Sequence, residues 1–581
     1  MPARGCSSYR TTCGPRFAFG GRINGLALSA TVLYSTPFAS ILRQGQGYSV
    51  INLSETFNVA TYFVDRHEAE GRGAFVAIEC GEERVTYAQL RERTNRTGNA
   101  LQKLDVRMEQ RVALLLLDSP EFLYCFFGTI KIGAVAVPMN TYLQAQDYEY
   151  LLNDCRARVL IVHDALRPAI NLIPRKQLRY LEHIVVADGQ ESGSFADLLA
   201  AASPELEAAR TSKDDSAFWL YSSGSTGTSK GCVHLHHDMM VCSELYAKNI
   251  LHMTADDRCY SVARLFFAYG LGNAGYYPLS CGATTILSRP RPEPAAIYAS
   301  IEHYRPTLFF SVPSNYVALL NHHRENGREF DLSSVRHGIS AGESLPAPLF
   351  ERFKNRFGVE ILDALGSTEA LHMVIANCPG EIRPGSSGRV IPGYEARLVD
   401  DEGNEVAQGE IGSLLVKGDS ICAGYWNRHE KTKAAFEGEW FRTGDKYYQD
   451  KDGYFWYAGR ADDLFKVNGR WLNPAEVESA LIAHPAIQEA AVIAREDANH
   501  LTKPAAYVVV RENFVANDEL VHTLQDWVVE RIGAYKRPRW VEFLPDLPKT
   551  ATGKLQRYKL REMQARVRER TDQVRTDQVS R

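Results

Sequence analysis

Between Tyr221 and Gly231 the chain gathers Ser222, Ser223, Gly224, Ser225, Thr226, Gly227 and Lys230 into one short stretch. Glycines let a backbone turn tightly and aim its amides inward, hydroxyls add donors, and Lys230 adds positive charge. A polyphosphate needs all three. The apolar residues 217–221 just ahead predict a strand from which this loop departs. The pattern is not the common P-loop, in which Ser or Thr follows the lysine. Here Ser229 precedes Lys230 and Gly231 follows it. A flexible Ser/Gly linker is the competing reading. Linkers seldom set one lysine between a hydroxyl cluster and a glycine after a buried strand.

A second group, Gly366, Ser367, Thr368 and Glu369, follows the strand-like residues 359–363. A carboxylate beside a phosphate loop can hold Mg2+ that bridges phosphates. A helix N-terminal Glu, favoured by the helix dipole, is the alternative. Two other patterns carry less weight. Gly270, Gly272 and Gly275 fit GxGxxG, but Pro278 and Gly282 leave little room for the helix a dinucleotide site requires. That stretch reads as a loop bordering an acid pocket, and a nicotinamide dehydrogenase built on it is a distant rival. His234, His236 and His237 lack a cysteine or carboxylate partner at metal-ligand spacing and read as surface or structural histidines.

Over about residues 50–563 the ordered motifs resemble the adenylate-forming superfamily of acyl-CoA synthetases, adenylation domains and luciferases. Residues 265–273 and 366–372 bring it nearest to the benzoate-CoA ligase group. The resemblance implies ATP-dependent activation of an aromatic acid as its acyl-adenylate, then transfer to coenzyme A with release of AMP. ATP, Mg2+ and coenzyme A are the implied cofactors. A carrier protein carrying a tethered pantetheine is the alternative acceptor. By the same resemblance, Thr226, Lys230, Glu369 and Lys554 are catalytic, with Glu369 on the metal and Thr368 on the α-phosphate. Gly342 and Glu343 lie in the stretch that resembles the adenine-cradling loop, although an ordinary strand-end turn fits those residues equally well. Asp445 matches the ribose motif, because a carboxylate accepts both ribose hydroxyls; a turn Asp is its bland alternative. Arg460 matches a nucleotide contact, or else a surface ion pair. Asp462 matches the hinge.

Lys554 lies on a C-terminal loop, where its charge offsets the repulsion between two combining anions. A solvated lysine is the commoner fate of such a residue. The segment with Lys466, Gly469, Arg470 and Trp471 matches the lining of a pantetheine tunnel, which replaces the Lys554 loop when the small domain turns. Ala268, Tyr269, Gly366, His372 and Met373 match the acid pocket. His372 follows Glu369 by three residues, so one helical turn would bring both to the site. Met373 stands where benzoate-specific members usually have a branched aliphatic, which leaves hydroxy- and aminobenzoates open. Ser229 replaces the usual proline of the phosphate loop.

The elements that must hold these residues alternate. Apolar runs at 112–117, 135–138, 159–162 and 184–186 read as buried strands, with helical patterns at 87–104 and 147–154. This predicts an α/β fold, with a large N-terminal domain of layered α/β sheets. Residues 388–457 change to short strands with Asp/Gly turns and predict a β-rich subdomain. Beyond a hinge near Asp462 a small mobile α+β C-terminal domain is expected, with helices at 474–483 and 517–532 and strands at 490–494 and 505–510. The expected divisions are an extension at 1–48, a domain at 49–461, a second at 462–565 and a disordered tail at 566–581.

Composition fits that picture. The 581 residues are too many for one small core. At 45% hydrophobic, 23% charged and net charge −4, the chain has no basic excess for nucleic acid. No apolar run approaches the roughly 20 residues a membrane span needs. Eleven scattered cysteines without a CxxC pair read as buried free thiols in a reducing, cytoplasmic setting. A homodimer stays open. Residues 1–48 carry five arginines (Arg4, Arg10, Arg16, Arg22 and Arg43) and no acid. They read as an untidy extension or misplaced start rather than a targeting peptide. The tail repeats Arg570–Val574 as Arg575–Val579 and reads as disordered.

Overall fold

The computed structural model describes residues 51–189, 194–222, 229–324, 327–460, 463, 465–467, 470–497, 501–549 and 555–565. The expected extension and tail, Asp462 (the expected hinge) and Lys554 lie outside them.

The N-terminal domain contains two large sheets. In the first, strands run in the order His183–Val186, Ala157–Val162, Arg111–Leu115, Val135–Pro138, Ser216–Ser222 and Lys230–Leu235. The first five are parallel and the last returns antiparallel. Their near-continuous apolar runs follow from burial on both faces, and Val112, Leu114, Val137 and Leu160 are fully buried. Helix Tyr87–Lys103 starts where Thr86 and Gln89 form a reciprocal capping box. Helix Pro120–Lys131 carries a proline in its first turn, where a missing N–H costs nothing.

The second sheet has nine strands. Its parallel centre runs Ile361–Gly366, His337–Ala341, Leu308–Ser311, Arg258–Ser261, Thr284–Ile286 and Val76–Cys80. Antiparallel strands close both edges. The expected β-rich subdomain is an antiparallel sheet of Glu395–Val399, Gly412–Lys417, Trp440–Gln449, Phe436–Glu437 and Phe455–Arg460.

In the smaller C-terminal domain, strands Ile487–Glu496, Thr502–Val510 and Trp540–Phe543 form a sheet. Helices Pro474–Ile482 and Asp518–Ile532 accompany it, capped by the side chains of Asn473 and Asn517. The nine described cysteines are free thiols. Among the described residues no helix is long and apolar enough to cross a membrane.

One local reading is corrected. Residues 270–275 are helical, not a loop: Ala268–Leu271, a π-turn at Gly272–Tyr276 and Tyr277–Cys281 follow one another. Pro278 follows the π-turn, in which the Tyr277 amide bonds to the Gly272 carbonyl, so the helical run absorbs it, and Gly282 ends the run in a left-handed conformation. Of the histidines read as surface or structural, His237 is partly exposed and the other two are structural. His234 and His236 are fully buried.

Candidate active site

Parallel strands present their C-terminal ends along one edge, the usual place for a ligand crevice. Here that edge supplies several of the expected residues. Strand His337–Ala341 leads into Gly342 and Glu343, and Ile361–Gly366 leads into Ser367, Thr368 and Glu369. Strand Arg258–Ser261 leads towards Ala268 and Tyr269. Ser222 and Lys230 come from the other sheet, as register partners across the phosphate hairpin. Ser223, Gly224, Ser225, Thr226 and Gly227 between them lie outside the described residues.

Lys230 and Glu369, 139 positions apart in the chain, meet with Nζ 3.1 Å from Oε1. Both side chains are largely shielded from solvent. Tyr425 completes the group. Its ring lies 3.7 Å from the Lys230 ammonium, and its hydroxyl donates to Glu369 Oε1 at 2.9 Å. His234 holds the loop from behind, donating from Nε2 to the Thr368 carbonyl at 2.8 Å while Nδ1 meets Asp238 at 2.7 Å. Among the described residues no cluster of three metal-ligating side chains occurs. A lone carboxylate beside a phosphate loop still suits Mg2+, which takes one or two protein carboxylates and draws its other oxygens from phosphates and water.

Asp445 lies inside strand Trp440–Gln449, not on a free turn. Gly444 before it has φ +78°, a left-handed conformation that a side chain disfavours. Arg460, its register partner on the next strand, donates to Asp445 Oδ1 at 3.2 Å. Asp445 and Asp363 both help push the buried Tyr447 hydroxyl well above its ordinary range, after burial itself. The ribose-motif strand is therefore within electrostatic reach of the strand that carries Gly366. On the C-terminal side, Leu555, the neighbour of Lys554 in the chain, donates its backbone N–H to Glu343 Oε1 at 2.7 Å. Strands Phe465–Val467 and Arg470–Leu472 pair as a hairpin. Gly469 and the side chains of Lys466, Arg470 and Trp471 lie outside the described residues.

On the acid side, Ala268 and Met373 are buried. The Tyr269 hydroxyl faces the Ser311 and Ile339 carbonyls. Met373 pairs with Gly366 across an antiparallel return. The helical turn expected between Glu369 and His372 does not form. Leu371 instead takes φ +66° and turns the chain back into strand Met373–Ala376. His372 is ringed by Tyr277, Tyr269, Tyr246 and Tyr276, with centroids 4.5, 5.7, 5.8 and 6.3 Å away. Its Nε2 faces the Tyr269 carbonyl and Asn273 Oδ1, at 3.3 and 3.2 Å, so the proton sits there. Burial pulls its pKa down to about 3, so the ring is neutral. Its Nδ1 and the Tyr246 and Tyr277 hydroxyls are buried without a hydrogen-bond partner among the described residues. Asp118, pushed up to about 6 by burial, accepts the Leu265 amide at 3.1 Å and anchors the approach to Ala268. A cleft of about 430 Å3 lined by Pro348, Arg352, His484 and Arg511 holds none of these residues.

Sequence reasoning named Tyr269 but missed Tyr246, Tyr276 and Tyr277 around His372, as well as Tyr425 and Asp118, and it set His234 aside. No spacing pattern points to contacts made across so many residues.

This fold and site define an enzyme class. The chain belongs to the AMP-binding enzyme family, whose model matches residues 65–426, with the family's C-terminal domain at 476–554. It is 45% identical over 513 residues to the benzoate–CoA ligase of Thauera aromatica, covering 88% of this chain and 97% of that one. It is 42% identical to the 4-hydroxybenzoate–CoA/benzoate–CoA ligase of Rhodopseudomonas palustris, covering 87% and 94%. A crystal structure of the anthranilate CoA ligase AuaEII in complex with anthranoyl-AMP superposes with a TM-score of 0.84. It is 43% identical and covers 88% of this chain and 98% of that one.

Proposed function

We propose that the chain is an AMP-forming aryl-CoA ligase that activates benzoate or a hydroxy- or aminobenzoate. The observation that carries this reading is the Lys230–Glu369 contact at the sheet edge that also bears the aromatic wall around His372. In the first step an acid oxygen attacks the α-phosphorus and the bond to pyrophosphate breaks. In the second, the thiol of coenzyme A attacks the acyl carbon, loses its proton, and AMP leaves. Lys230 faces the phosphates, and the loop behind Thr226 supplies amide donors. Lys554 balances charge where acid and α-phosphate meet. Mg2+ held at Glu369 would neutralise phosphate charge. Asp445 and Arg460 hold the ribose side, and Gly342 and Glu343 flank the base. Rotation of the C-terminal domain about Asp462 then exchanges the Lys554 loop for the Lys466–Trp471 hairpin.

Within that class, the pocket favours a ring bearing a polar substituent. Unpaired His372 Nδ1 offers an acceptor, and two tyrosine hydroxyls offer further partners. The test is pyrophosphate release across benzoate, its hydroxy and amino derivatives, phenylacetate and short fatty acids. Aromatic acids should give the highest kcat/KM, and aryl-CoA should form with free coenzyme A. Preference for a fatty acid, or transfer only to a carrier protein, would refute this assignment.

A further inference from the structure

The proposed reaction gives work to Lys230 and Glu369 but none to Tyr425. Yet Tyr425 touches both, 195 positions after the first and 56 after the second. It is buried, and it follows Gly424, whose carbonyl accepts the Val233 amide. Its own segment is pinned on both sides. The Cys422 amide donates to the Glu369 carbonyl at 2.7 Å, and the Trp426 amide donates to the Gly231 carbonyl at 2.8 Å. One short stretch thus grips the backbone at Glu369 and the backbone beside Lys230, with Tyr425 between them.

We infer that Tyr425 is the positioning residue that sets the metal-facing carboxylate and the phosphate-facing lysine relative to each other, through two separable contacts. Its hydroxyl fixes one oxygen of Glu369 and leaves the other to face a ligand. Its ring holds the Lys230 ammonium by cation–π attraction, without consuming any of its three N–H donors. In this arrangement Lys230 and Glu369 neutralise each other. Nucleotide must draw them apart, and Tyr425 keeps each in reach as it does so.

The inference rests on the proposed roles of Lys230 and Glu369, and the experiment separates the two. Binding of ATP is followed by calorimetry on the full chain, without aromatic acid, first in EDTA and then with rising Mg2+. If wild-type protein binds no ATP under either condition, the roles fail. If it binds, the variants decide. Tyr425→Phe keeps the ring and removes the hydroxyl. It should leave metal-free ATP affinity within about twofold, yet raise the Mg2+ concentration for half-maximal enhancement about tenfold, as expected when a partner that orients a ligating carboxylate is lost. Tyr425→Leu removes both contacts and should also weaken metal-free ATP binding, by about three- to tenfold. Equal weakening of both measurements by Tyr425→Phe would reduce Tyr425 to packing and overturn the inference. So would wild-type values for both. Should the Leu variant fail to fold, the two measurements on the Phe variant are enough to decide.

Discussion

A methyl group on Gly272 would sit 2.3 Å from His372 Cδ2, inside any permitted contact. The helix therefore passes the imidazole at a distance only glycine allows. Gly272→Ala should push the ring off the Asn273 and Tyr269 acceptors. We expect kcat/KM for the aromatic acid to fall on the order of 100-fold, the cost of about an ångström's misplacement in a reacting geometry. The KM for Mg·ATP should stay within about twofold, because that end of the site is built from other strands. Pyrophosphate-release kinetics check both. A matching rise in the ATP KM would mean that the damage is general. The imidazole itself should contribute no ionisation to the pH–rate profile near neutrality, since burial keeps it neutral.

At the scale of elements, the phosphate hairpin is braced through Asp154. This carboxylate, largely shielded, accepts from the Tyr221 hydroxyl at 2.6 Å and from Arg428 at 2.9 Å. Arg428 also holds the Tyr150 hydroxyl, which donates to the Ser229 carbonyl at 2.7 Å. Asp154→Ala should cost about 3 kcal/mol in urea unfolding, since it strands a partly buried guanidinium. The KM for Mg·ATP should rise several-fold as the hairpin loosens. An unshifted midpoint would show the brace carries no weight. This brace also marks the boundary of what the chain discloses in one dimension. The strand before the loop and the one leading to Gly366 were legible, because apolar runs announce them; the strand that carries Lys230 was not read. Nor was the hairpin's clamp, because Asp154, Tyr221 and Arg428 meet only once the sheet has formed. Strand Lys230–Leu235 reads with Val233 and Leu235 as its apolar face, yet it buries Cys232 and His234. Contact with the Thr368 loop overrode local hydrophobicity there. The 268–281 helix was hidden for another reason: Pro278 looks like a breaker unless the π-turn ahead of it is known.

For the whole molecule, acid should be destabilising in a defined window. Burial pulls His67, His236 and His372 down to about 3. In the unfolded chain each titrates near 6.5. Between those values the unfolded state binds a proton that the folded state refuses, so stability is complete above about 6.5 and falls as pH drops. Each histidine should cost roughly 2 kcal/mol between pH 7 and 5. Asp118 and Asp363, whose carboxyls burial holds above the usual carboxylate range, bind protons more readily when folded and offset part of that cost. The readout is therefore the change on substitution: His236→Gln should flatten the pH dependence of the urea midpoint by up to one proton. An unchanged slope in His236→Gln would refute the assignment. The two domains give a separate expectation. Leu555 donates its amide to Glu343, a residue proposed to flank the base. Lys554→Ala should abolish adenylation yet retain thioester formation from a supplied aryl-adenylate. Equal loss of both half-reactions would contradict the proposed division of labour.

Leu371 shows what such a site asks of one position. Its backbone is left-handed and its side chain has no exposure. Glycine would relax the backbone by about 1 kcal/mol but empty a leucine-sized volume worth roughly 2–5 kcal/mol. Branched residues would fill the space and strain the turn further. In a saturation library this codon should tolerate almost nothing, on backbone and packing grounds alone.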